Sequence, residues 1–138
     1  MLEQEDVLEV MDKRAQTVCP VTYPQFRPNA VTEGLKEFIV VSLPYSEVNK
    51  TLSENDDWWL DMTVVFEIYV ADRKTAQNPR EMNVPAMKRL RKALKGIFPI
   101  IDDERRFKIT RPRTVIPGSS DGNGYHYTRI QAKMTTLV

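Results

Sequence analysis

The sequence of 138 residues has a single cysteine, Cys19, and a single histidine, His126. One cysteine cannot form a disulfide within the chain, so this is not a secreted disulfide scaffold, and we interpret Cys19 as a small buried core residue. A zinc site built from thiolates and imidazoles needs more of these residues than one chain supplies. The sequence places no partner beside His126, and we predict no catalytic residues, no metal ligands and no cofactor.

The sequence also lacks an excess of charge and any long apolar run. Its 20 Lys and Arg residues nearly balance 19 Asp and Glu residues, for a formal net charge of +1. Dedicated nucleic-acid binders usually have a clear basic excess. No apolar run approaches the ~20 residues that cross a bilayer, and the acidic first residues lack the apolar core of a signal peptide. We therefore expect an intracellular, soluble protein that makes no membrane contact.

One long alternating pattern is present, from residue 58 to residue 70, where every second side chain is apolar. This period predicts a β-strand with one buried face. At about 3.3 Å per residue the strand would span roughly 40 Å, which is long for a small sheet. We predict that it bends, or that one end projects and covers its apolar side with another subunit. The candidate subunit-interface residues at its start are Trp58, Trp59, Leu60 and Met62.

The remaining patterns predict two helices and four further strands around this one. The helices are expected at residues 3–17 and 85–97, the second with Asn83 as its N-cap. The strands are expected at 21–26, 36–43, 105–116 and 124–137, with a long hairpin tip at 44–57 and a flexible turn at 117–124. The order is α-β-β-β-α-β-β in a single domain, residues 1–138. The predicted fold is α+β, a mainly antiparallel sheet of about five strands with both helices packed on one face.

The polar residues form few patterns that are typical of a binding site. Neither Asp56, Asp57 and Asp61 nor the pair Asp102 and Asp103 has the spacing of a calcium loop, and aspartate is common in turns. The strongest polar feature is a set of five cations on the second predicted helix. They could contact phosphates or an acidic protein surface, although a solvated helix face is the commoner explanation. These residues are Lys88, Arg89, Arg91, Lys92 and Lys95.

The order and pattern of these elements resemble the tail-completion proteins of long-tailed bacteriophages, which include tail-terminator and head–tail neck proteins. The resemblance rests on residues 7–15, 38–43, 58–70, 87–97 and 129–134. The extra strand at 105–116 departs from the pattern. The resemblance implies a non-enzymatic subunit that assembles into a ring, typically a hexamer, around a channel for DNA. The implied partners are further copies of the chain, other tail or neck proteins and, through non-specific contact, DNA.

We therefore predict a structural ring-forming subunit of a phage or prophage tail or neck, acting in tail completion or head–tail joining. The alternative is a nucleic-acid-binding α+β module that uses the basic helix at 86–95. A third hypothesis is a small enzyme in which His126 works with a nearby carboxylate. The first hypothesis requires self-association, the second requires nucleic-acid binding that weakens with salt, and the third requires His126.

Overall fold

The structure, a computed structural model, describes residues 4–24, 35–43, 61–75, 77–78 and 80–137. Within these ranges the chain forms an α+β fold in the order α-β-β-β-α-β-β-β, as predicted apart from one additional short strand. The helices are α1 (Gln4–Ala15) and α2 (Val84–Gly96). The strands are β1 (Thr22–Pro24), β2 (Glu37–Ser42), β3 (Asp61–Ala71), β4 (Ile100–Ile101), β5 (Phe107–Ser120) and β6 (Tyr125–Thr136).

The six strands form one sheet in the order β1-β2-β3-β6-β5-β4. Only β1 and β2 are parallel, and the other four neighbouring pairs are antiparallel, so the prediction of a mainly antiparallel sheet is confirmed. The centre of the sheet is the long pair β3–β6, which is in register from Asp61 opposite Thr135 to Ala71 opposite Tyr125. The strand absent from the prediction is β4, which has two residues and pairs only with the start of β5.

The alternation along β3 produces the main core. Its apolar even-numbered residues from Met62 to Val70 are at most 2% exposed, and they pack against the buried residues of both helices. The helices therefore cover the same face, as predicted. The apolar side of residues 62–70 is buried within one subunit, so this part of the strand needs no second copy to cover it. Met62 lies in this core, whereas Trp58, Trp59 and Leu60 lie outside the described residues.

Helix α1 connects the two edges of the sheet. It packs on β1 and β2, while the Arg14 guanidinium donates to the backbone carbonyl of Ile101 in β4 at 3.1 Å. Asp6 also approaches Arg106, just before β5, at 3.6 Å. The sheet consequently curls around the helix, and its other face points away from both helices.

Helix α2 begins as the sequence predicts. The Oδ1 atom of Asn83 accepts the backbone N–H of Ala86 at 3.3 Å, and Pro85 occupies the first turn, where its missing N–H costs no intrahelical bond. The inner stripe of Met87, Leu90 and Leu94 is fully buried. No helix in the described ranges is both long enough and apolar enough to cross a membrane.

Strand β5 is longer than predicted and irregular. It continues through Pro117 and Gly118 to Ser120, so only the last part of the predicted turn at 117–124 is a turn. Thr110 faces Lys133 and Ser120 faces His126, so eleven residues of β5 lie along eight of β6, with three register shifts. Because β4 ends opposite Lys108, the rest of β5 is an edge strand among the described residues, where bulges and prolines are tolerated.

Candidate functional site

Two of the five predicted helix cations are held by contacts within the subunit. The Arg89 guanidinium lies 2.8 Å from a carboxylate oxygen of Glu37 on β2. The Arg91 guanidinium donates to the backbone carbonyl of Pro117 on β5 at 2.8 Å, while its Nε atom is buried with no hydrogen-bond partner in the described part of the chain. These arginines fasten α2 to the sheet, so they offer a partner less charge than the sequence suggests.

The three lysines of α2 are more accessible. Lys88 and Lys92 are exposed, whereas Lys95 is half-buried near the end of the helix. Residues four apart lie on the same side of a helix, so Lys88 and Lys92 form a two-charge exposed ridge. The predicted surface of five cations is thus reduced to this ridge of two lysines.

A buried aspartate lies beside the single histidine, a neighbour that the sequence did not reveal. The Oδ1 atom of Asp72 is 2.6 Å from Nδ1 of His126, and the two side chains are 4% and 16% exposed. The backbone N–H of Asp72 also donates to the carbonyl of Gly124 at 2.9 Å. The pair therefore joins the end of β3 to the start of β6.

Groups of the β5–β6 turn lie next to this pair. Ser120 faces His126 on the neighbouring strand. Its hydroxyl oxygen accepts the backbone N–H of Gly122 at 3.2 Å and so takes part in the β5–β6 turn. The second carboxylate oxygen of Asp72 is buried and has no hydrogen-bond partner among the described groups. The hypothesis of a small enzyme that uses His126 stays a prediction, with Asp72 as the nearby carboxylate.

The sheet face that points away from the helices is lined with polar and aromatic side chains. The ring of Tyr69 stacks on Phe38 with a centroid distance of 4.7 Å and on Tyr127 at 5.4 Å. Two N–H groups of Arg129 bond one carboxylate oxygen of Glu67, at 2.9 and 3.0 Å. These contacts hold the side chains in fixed positions across β2, β3 and β6. We call this surface, which neither helix covers, the uncovered face; at its β2 side Phe38, Val40 and Tyr125 form a second, small buried cluster.

A basic groove of about 280 Å³ lies at one end of the uncovered face, on β3, β5 and β6. Its cations are Arg111, Arg113 and Lys133, and its lining also includes the polar side chains of Thr63 and Gln131. All three cations are exposed. In the described ranges none of them has a carboxylate within ion-pair distance. The groove therefore presents three uncompensated positive charges.

An acidic groove of about 350 Å³ lies where α1 meets the turn between β4 and β5. Five carboxylates and three cations line it, so it has a formal charge of −2; the acids are Asp6, Glu9, Asp102, Asp103 and Glu104, and the cations are Lys13, Arg14 and Arg106. Asp102, with a side chain only 4% exposed, lies 2.6 Å from Arg106 Nε. This hydrogen bond holds the pKa of the Asp102 carboxyl below its usual value. The Asp103 side chain is fully exposed.

Sequence reasoning missed both grooves and the Asp72–His126 pair. The signal for the basic groove was present in the alternation of β6, which places Gln131 and Lys133 on the same face. What could not be read was the irregular register of β5, which places Arg113 opposite Gln131 and so on the same face as Lys133. Of the carboxylates considered for a cation, Asp56 and Asp57 lie outside the described residues, and only the backbone of Asp61 is described. The described residues contain no group of three or more acidic, His or Cys side chains arranged to hold a metal ion.

Comparison with known proteins supports the fold and goes no further. Four chains of solved structures match. One of them, from a protein whose name states no function, aligns with a TM-score of 0.57 and 13% identity over 100% of this chain and 98% of its own. A likeness at that identity concerns the fold alone. No family model and no curated protein matches the sequence.

Proposed function

We propose that this protein is a structural ring-forming subunit of a phage or prophage tail or neck, acting in tail completion or head–tail joining without catalysis. Its partners would be further copies of itself and neighbouring tail or neck proteins. The observation that carries the proposal is the uncovered face, where contacts across β2, β3 and β6 hold tyrosine and arginine side chains in place before any partner binds. The resemblance in element order points to the same class of protein.

The uncovered face has the properties of a protein-contact surface. Tyrosine and arginine are enriched in protein interfaces, and side chains that are already ordered lose less entropy on binding. Tyr127 and Arg129 are both half-buried, so each retains surface for a partner. A ring requires a heterologous contact, in which one surface of each subunit meets a different surface of the next.

Native mass spectrometry and light scattering across a range of protein concentrations would test the proposal. We expect a closed oligomer whose subunit number does not change once it forms. Tyr127→Arg places a charge at the centre of the uncovered face and is expected to shift the protein to monomer. Gln77→Arg adds the same charge at an exposed position between β3 and α2 and serves as the control. A wild-type chain that stays monomeric at every concentration, with and without tail-tube protein, would contradict the proposal.

The second candidate, nucleic-acid binding through α2, is favoured by one observation, the exposed ridge of Lys88 and Lys92. Arg89 and Arg91 are already engaged with Glu37 and Pro117, so the helix has fewer charges for phosphates than its composition suggests. In the ring, Lys88, Lys92 and Lys95 would face a charged neighbour or the DNA channel. This role is subordinate to assembly.

A further inference from the structure

We infer that the basic groove of one copy docks the acidic groove of the next copy. This inference rests on the proposed function, because it names the surfaces through which ring subunits would meet. Its starting point is the charge of the basic groove. Arg111, Arg113 and Lys133 converge on one hollow, and no carboxylate is among the described side chains that line it. Like charges placed together repel, so an anionic surface that fills the hollow stabilises the arrangement.

The backbone fixes the direction of these charges. The register shift between Thr110 and Arg113 is a β-bulge, and within it Arg111 has a φ of 58°. A left-handed conformation at a non-glycine residue is uncommon and persists where the surrounding structure enforces it. In a regular strand Arg113 would lie on the face opposite to Thr110, three residues before it; the extra residue of the bulge places Arg113 opposite Gln131, on the face that Lys133 shares.

The acidic groove supplies the complementary charge. Its formal charge is −2, and it includes one exposed acid on α1, Glu9, and one on the β4–β5 turn, Asp103, with side chains 63% and 101% exposed. Asp103 is only loosely held by a local cation, since Arg14 is 3.9 Å away. Glu9 pairs with Lys13 at 3.1 Å, but both side chains of this pair are exposed, and exposed ion pairs contribute little. Both acids are therefore available to a second copy.

The two grooves cannot neutralise each other within one subunit. The basic groove lies on the uncovered face, and the acidic groove lies on the side of the sheet that carries α1. A contact between them consequently joins different surfaces of two copies, and it repeats from each copy to the next. This is the heterologous contact from which closed rings are built.

A nucleic acid fits the basic groove less well than a protein carboxylate surface does. Single-strand binders combine cations with exposed aromatic rings on which bases stack. On this face the aromatic rings stack on one another, and Tyr127 is separated from Lys133 by six residues, or about 20 Å along β6. Glu67 also lies between the two groups of side chains on the same face.

A charge-exchange experiment on the full chain tests the inference. One variant, Arg113→Glu with Lys133→Glu, reverses the basic groove, and a second variant, Glu9→Lys with Asp103→Lys, reverses the acidic groove. We expect each variant alone to raise the apparent dissociation constant of the oligomer roughly tenfold or more, and an equimolar mixture of the two to recover association. The matched control, Lys36→Glu with Lys74→Glu, reverses two exposed lysines at the far end of the sheet and should associate as the wild type does.

The outcomes separate the inference from the proposed function. If the wild type forms a ring and the two groove variants form it equally well, the docking of these grooves is wrong while the ring proposal stands. If both variants dissociate but their mixture does not reassociate, the grooves do not face each other and the inference is also wrong. If the wild type never associates, both the inference and the proposed function fail. If the wild type instead retains short DNA through Arg113 and Lys133 while remaining monomeric, the occupant is a nucleic acid and the inference is overturned.

Discussion

Cys19 illustrates how burial determines the chemistry of a single side chain. Its residue is 1% exposed, and its Sγ–H lies near the backbone carbonyls of Val21 and Glu37, at 3.6 and 3.7 Å. Burial raises the pKa of the thiol, and the negative charge of Glu37 adds to this effect. The expectation of a buried core cysteine is thus confirmed for its position.

We predict that the Cys19 thiol reacts slowly in the folded protein. The thiolate is the reactive form, and a raised pKa together with little exposure reduces both its amount and its access to reagents. A disulfide exchange reagent followed by absorbance should show little reaction under native conditions and complete reaction in urea. Complete reaction within the mixing time under native conditions would contradict the buried position.

Asp102 provides a prediction about the pH dependence of stability. Its pKa is lowered in the folded state by the Arg106 hydrogen bond, so its stabilising contribution is fully present above the unfolded pKa of about 3.9. That contribution is lost as the pH falls through the lower folded pKa. We predict that Asp102→Asn lowers the free energy of unfolding at pH 7 by about 1–2 kcal/mol and that the loss diminishes toward acid pH.

Urea unfolding followed by circular dichroism between pH 3 and pH 7 would measure this difference. The matched control is Asp103→Asn, because Asp103 is the neighbouring residue but is fully exposed. We expect the control to unfold at nearly the wild-type urea concentration at every pH. Equal effects of the two substitutions would show that the Asp102–Arg106 contact has no special role.

At the scale of elements, the sequence predicts the helices and most of the strands, whereas it does not predict β4 or the last residues of β5. The alternation of residues 62–70 predicts both the strand and its buried side, because a half-buried strand imposes a period of two on the sequence. Strand β4 has only two residues, and β5 passes through Pro112 and Pro117. The extended form of β5 depends on its pairing with β6, and the local sequence of β5 does not encode that pairing.

In the candidate site, too, some features can be predicted from the sequence and others cannot. The positions of Lys88 and Lys92 on the outer side of α2 follow from helical spacing alone. The engagement of Arg89 by Glu37 joins residues 52 positions apart, and the Asp72–His126 contact joins residues 54 apart. Such contacts depend on the order of strands in the sheet, so a single sequence could not indicate them.

The exposed ridge of α2 leads to a prediction about DNA. Each phosphate contact contributes about 0.9 to the slope of log affinity against log salt concentration, so Lys88→Ala with Lys92→Ala should make the slope shallower by about 2. Fluorescence anisotropy with a short DNA duplex at several salt concentrations would measure it. Lys36→Ala with Lys74→Ala is the control that removes the same charge elsewhere. Absence of any DNA binding by the wild type at low salt would eliminate the nucleic-acid alternative.

At the scale of the whole molecule, a net charge of +1 conceals a separation of charge. Three unpaired cations are gathered on the uncovered face, and the excess of carboxylates lies beside α1. The balanced composition argues only against a dedicated nucleic-acid binder and leaves a local basic patch open. The fold creates this separation of charge, because α1 connects the two edges of the curled sheet and so brings Asp6 and Glu9 to the β4–β5 turn.

The eleven-on-eight fit between β5 and β6 has a consequence for how copies of this protein can meet. A regular strand from a neighbouring copy could not pair along the β5 edge, because the three extra residues of β5 shift its amide and carbonyl groups out of register. Fibril-like growth by backbone pairing is thereby blocked along this edge. Contacts along this edge therefore depend on side chains, and dissolved ions weaken the attraction between charged side chains. Such reversible contacts let subunits dissociate and reassociate until the assembly is correct.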